Sequence, residues 1–141
     1  MHGWPVPPEF PLSELVGQEV TQVCVGLGQV SVHLYRQPQP GTPDKWKPGA
    51  RIDVESAFTI QEDASGSTRV EPARFKVAGG TLTRLLGATV AEVIRGRGSE
   101  IQVVFAGGFS LHLHTDPQGF ESFHLQISGE SVTVTGAPSE V

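Results

Sequence analysis

"LSELVGQEVTQV" at residues 12–23 and "LTRLLGATVAEV" at residues 82–93 decide how this chain is read. Laid over one another at an offset of 70, they match at Leu12/Leu82, Leu15/Leu85, Val16/Leu86, Gly17/Gly87, Val20/Val90 and Val23/Val93 without a gap. Apolar and glycine positions that coincide in this way over half the chain length mark an internal duplication. The leucines at i, i+3 and i+4 form the apolar stripe of a short helix. The glycine stands where a helix end calls for positive φ, and a strand follows at once. Each half therefore opens with one short helix that plugs the end of a sheet.

Strand periodicity continues from both openings. Val30, Val32 and Leu34 alternate with Ser31, His33 and Tyr35, and Ile101, Val103 and Phe105 alternate with Gln102 and Val104. "GLG" at 26–28 and "GRG" at 96–98 read as matching turns after the first strand of each half. "RIDVESAFTIQ" at 51–61 reads as one long strand, with Ile52, Val54, Phe58 and Ile60 inward and Asp53, Glu55, Thr59 and Gln61 outward. In the second half the same element looks split by an insertion, "FSLHLHT" and "ESFHLQIS" flanking the turn "DPQG". A last strand, "SVTVT", covers 131–135.

The expected fold is mainly β: two pseudo-symmetric halves forming a β-sandwich or partly open barrel, with one short helix per half. Residues 1–11 form an extended N-terminal segment and 12–141 a single domain, with half-repeats at about 12–62 and 82–135 and a linker at 63–81. The loops "RQPQPGTPDKWKPGA" (36–50) and "EDASGSTRVEPARF" (62–75) read as surface segments, the first carrying Trp46 between two lysines. Seventeen glycines and eleven prolines in 141 residues suit short strands and many turns better than a bundle.

Composition removes several function classes. A single cysteine, Cys24, excludes an intrachain disulfide and a CxxC redox pair; placed between Val23 and Val25, it reads as a buried, inert thiol. Ten basic against fifteen acidic side chains, with the basic ones scattered, argue against nucleic-acid binding. No apolar run reaches the roughly 18 residues of a membrane span and no secretory leader opens the chain, so a cytoplasmic protein is expected. No nucleophile elbow or phosphate loop is present, so no catalytic residue and no cofactor is assigned.

Chemistry concentrates in "GGFSLHLHTDPQGFESFHLQ", residues 107–126. With the leucines and phenylalanines inward, His112, His114 and His124 point outward and share one face if the two strands pair as a hairpin. Asp116 or Glu121 near the turn adds an oxygen ligand, giving a set suited to zinc, iron or nickel. The stretch resembles the first motif of the cupin barrels, with Gly107 or Gly108, His112, His114, Glu121 and Gly129 in its roles. It departs from that motif in the long gap between His114 and Glu121. Only 20 residues follow Glu121, too few for a second motif, and a cupin turns these side chains inward.

The paired openings, together with Gly108, Leu111, Leu113, Asp116, Phe120, Glu121, Ser122 and Phe123, resemble a family of small uncharacterised bacterial proteins. Some proteins of this build are immunity proteins of polymorphic toxin systems. The resemblance implies a non-enzymatic, acidic module of the immunity or antitoxin type that binds a protein partner, a cognate toxin. The surface expected to make the contact comprises Asp53, Glu55, Trp46, His112, His114 and His124. A metal-binding enzyme using His112, His114 and His124, or a homodimerising structural domain without a ligand, are the alternatives.

Overall fold

The computed structural model describes residues 6–36, 49–62 and 66–136, together with the backbone of His2–Gly3. Among the described residues, eleven strands form two sheets: β1 (His2–Gly3), β2 (Glu19–Val25), β3 (Val30–Tyr35), β4 (Arg51–Val54), β5 (Phe58–Glu62), β6 (Ser67–Val70), β7 (Val90–Arg95), β8 (Ile101–Phe105), β9 (Phe109–Leu113), β10 (Glu121–Ile127) and β11 (Glu130–Thr135). One sheet has the order β1-β11-β10-β4-β3-β2 and the other β6-β5-β9-β8-β7. All pairings are antiparallel except β1 with β11. The sheets pack as a sandwich, not a closed barrel, around a core that includes Val32, Ile52, Phe58, Phe75, Leu111 and Phe123.

The duplication governs this topology. Each half lays a three-stranded meander in one sheet and then crosses to complete the other with a two-stranded hairpin. The register repeats residue for residue. Val54 lies between Val30 and Phe123, and Leu113 lies between Ile101 and Phe58; Phe123 then pairs with Val134, and Phe58 with Val70.

The halves meet through reciprocal bonds. Gly17 N–H donates to Val90 O and Gly87 N–H to Val20 O, at 2.8 and 2.9 Å. Both glycines take the positive φ their positions predict, +89° and +84°, a region in which a side chain is strained. The leucine stripes form 3-10 turns at Leu12–Leu15 and within Gly79–Leu85, and each packs against the first strand of the opposite half.

Three sequence expectations are corrected. "RIDVESAFTIQ" is two strands, β4 and β5, in different sheets, so both halves are split here; the connection of the second half is the longer, nine residues between Leu113 and Phe123 against three between Val54 and Phe58. Ser56 betrays the break: it falls on the inward parity of a supposed continuous strand, where a core strand would place an apolar side chain. Its buried position belongs instead to the crossover, where the Glu55 and Ser56 amides both donate to Ser122 O. The segment assigned as linker, 63–81, contains β6 and a helical run made of a 3-10 turn (Pro72–Arg74), one turn of α-helix (Phe75–Ala78) and the start of the 3-10 segment Gly79–Leu85. The second half therefore carries more than one short helix.

The third correction is Cys24, which is exposed. The register of β2 against β3 slips between Val20 and Gln22, so Thr21 is an extra residue and Val23, not Gln22, follows Val20 on the inner face. Cys24 is thereby turned outward, 4.0 Å from His33 Nε2. The same slip occurs between Val90 and Glu92 in β7.

The N-terminal segment contributes to the domain itself. Val6 and Phe10 are buried in the core, and the Arg95 guanidinium holds the Val6 and Pro7 carbonyls at 2.8 and 2.9 Å. No helix of the described residues is long and apolar enough to cross a membrane.

Candidate functional sites on the two outer faces

The inward leucines and valines of β4 and β9 force their alternate residues onto the two outer faces of the sandwich. On the first sheet this produces the row Ser31, Asp53, His124, Thr133 across β3, β4, β10 and β11. Asp53 is fixed in place, accepting from Ser31 Oγ and from Arg51 Nε, each at 2.7 Å. His124 Nδ1 lies 2.9 Å from Thr133 Oγ1. Together with Gln29, Glu55, Glu121 and Phe123, these residues line a shallow depression of about 280 Å³.

The depression gathers three carboxylates. Glu55 has its carboxyl held above the usual glutamate range, first by partial burial and then by the neighbouring Glu121 and by Asp53; His124 acts in the opposite sense. Like charges held this close repel one another, so the arrangement favours a cation brought from outside.

On the second sheet the equivalent row is Gln102, His112, Thr59, Arg69 across β8, β9, β5 and β6. Glu100 precedes β8 as Gln29 precedes β3, and it stands beside His112 of β9 and His114, the residue that follows that strand. His114 Nδ1 lies 3.2 Å from Glu100 Oε1, and His112 Nε2 lies 3.4 Å from Oε2. The two imidazoles are stacked, with centroids 4.5 Å apart. His114 Nε2 lies 2.7 Å from Thr59 Oγ1. Burial holds the His114 imidazole below the ordinary histidine range; His112 and Arg69 act the same way, against the hydrogen bond and charge of Glu100. Its side chain is 13 % exposed and that of His112 36 %.

The two sites occupy the same place in the two halves. Asp53 and Glu55 correspond in register to His112 and His114, one set having become acidic and the other histidine-rich. The expectation that His112, His114 and His124 share one face is therefore corrected. All three point outward, but β9 and β10 belong to opposite sheets, because 114–120 is a crossover and not a hairpin turn. His124 pairs with Asp53, and Glu121 faces Glu55, so neither joins the β9 histidines. Trp46 lies outside the described residues.

Glu100 and Thr59 were not singled out by sequence reasoning, yet the signal for Glu100 was present. The turn at 106–108 between Phe105 and Phe109 fixes the β8–β9 register, Ile101 opposite Leu113, which places Glu100 beside His114. Chemically, one face offers anionic oxygens and the other two imidazoles with a carboxylate. No family model, no curated protein and no solved structure matches the chain.

Proposed function

We propose that the protein is a non-enzymatic protein-binding module of the immunity or antitoxin type, which neutralises a bacterial toxin by docking its acidic outer face on a basic surface of that partner. The observation that carries this reading is the depression on the first sheet, where Asp53, Glu55 and Glu121 are held together at an electrostatic cost to the free protein. A guanidinium or ammonium group entering there relieves that repulsion, so binding gains what the free protein loses. Asp53 is pre-oriented by Ser31 and Arg51, which reduces the ordering cost of association. The net charge of −5 adds long-range steering toward a basic cleft.

The test takes as the partner a toxic secreted protein encoded beside this chain. Co-expression of the full chain should relieve its toxicity and the two proteins should form a stoichiometric complex. The D53K/E55K double variant should bind at least about tenfold more weakly and lose most of the salt dependence of association. Toxicity unrelieved by the wild-type chain, or an affinity and salt dependence unchanged in the double variant, overturns the reading.

A further inference from the structure

We infer that Glu100, His112 and His114 form a binding site for one divalent transition-metal ion on the outer face of the second sheet, independent of the acidic depression on the first. The donor atoms are already gathered: all three groups offer an atom within 4.8 Å of the others. Each imidazole nitrogen stands beside its own oxygen of the Glu100 carboxylate, His114 Nδ1 3.2 Å from Oε1 and His112 Nε2 3.4 Å from Oε2, close to the ligand-to-ligand spacing around an ion with bonds of roughly 2.0–2.1 Å, so a turn of the carboxylate brings one oxygen into a shared site. An ion placed among them replaces direct His–Glu contacts without moving the strands.

The geometry around His114 supports the same assignment. A metal-bound imidazole donates its second ring N–H to a nearby oxygen, which fixes the ring and its tautomer. Thr59 Oγ1 stands at Nε2 in that role, leaving Nδ1 directed at Glu100. The threonine hydroxyl both donates and accepts, so it serves the free and the occupied states alike. Arg69, whose charge acts on His114, has its Nε engaged by Glu71 at 2.7 Å.

The fold itself does not require this set. In the first half the same register positions hold Gln29, Asp53 and Glu55, and the hydrogen bonding of the sheet is unchanged. Two imidazoles and a carboxylate select borderline ions such as zinc, nickel or copper over magnesium or calcium. Three protein ligands leave a tetrahedral position for water or for a side chain of a partner.

The experiment is calorimetric titration of the untagged full chain with zinc chloride, with cobalt(II) absorption as an optical reading of coordination. One zinc ion per chain should bind saturably in the micromolar range, with an intense tetrahedral cobalt spectrum. His112→Ala, at a half-exposed position, and Glu100→Gln should each weaken binding at least about tenfold, and Thr59→Val, a positioning change, about tenfold. His124→Ala should leave it unchanged. If a ligand variant fails to fold, histidine ring resonances of the wild-type chain give the answer: zinc should shift those of His112 and His114 and spare His33 and His124. Absence of saturable zinc binding, or full affinity in both His112→Ala and Glu100→Gln, overturns the inference.

Discussion

Glu55 shows how much a single side chain carries of the balance between stability and binding. Its carboxyl titrates above the ordinary glutamate value of about 4.3. Folding thus favours its protonated form. That contribution to stability is fully present below the unfolded-state value and is lost as pH rises through the folded one. Glu55→Gln makes the neutral form permanent. We expect it to stabilise the protein at pH 7, by less than about 1 kcal/mol because the group is exposed and screened, and to leave stability unchanged once the pH falls below about 4. Urea unfolding at the two pH values checks this; equal gains at both would show that the ionisation of Glu55, disfavoured first by burial and then by Glu121 and Asp53, is not the cause. The same substitution should weaken partner binding, which separates it from a simple surface improvement.

At the scale of the element, the first strand of each half repays attention because its sequence spacing is misleading. V-x-x-V at 20–23 and 90–93 has the three-residue interval of a helix, yet both segments are strands. One extra residue, Thr21 in β2 and Ala91 in β7, shifts the parity so that both valines face the core. Cys24 is the reporter of that shift. In the native protein it should react with an aromatic disulfide reagent to near completion at the rate of an accessible thiol, whereas an unbulged strand would bury it and protect it until unfolding. Element boundaries, by contrast, were legible where turn chemistry was strong. The "GLG" and "GRG" segments both turn the chain but do not match in length: Gly26 N–H donates to Gln29 O and Gly96 N–H to Glu100 O, one residue further on, each at 2.8 Å. The crossovers were not legible: nothing local distinguishes a strand that continues from one that leaves its sheet, except the serine at an inward position.

For the molecule as a whole, the consequence of the duplication is that neither half is self-sufficient. β5 and β6 complete the sheet of the second half, β10 and β11 complete that of the first, and Leu15 and Leu85 are fully buried against the opposite half's strands. Leu15→Ala and Leu85→Ala should therefore cost similar amounts, each about 2–5 kcal/mol. Each should lower one shared unfolding transition of the whole chain. Two separable transitions in either variant would mean that the halves fold on their own. The exchange of strands also explains why two chemically different sites sit back to back. A shared register sets the position of each, and the outward residues, free of packing constraints, have diverged into carboxylates on one face and histidines on the other.

The duplication, the inward sets of the strands without a bulge, the positive-φ glycines and the outward direction of the histidines were all present in the sequence. Each depends on periodicity or on the conformational preference of one residue, and those act locally. Which sheet a strand joins is a long-range matter, decided by how two apolar faces cover one another, and local pattern is blind to it. That decision alone separated His124 from His112 and His114, and gathered Asp53, Glu55 and Glu121 around one depression.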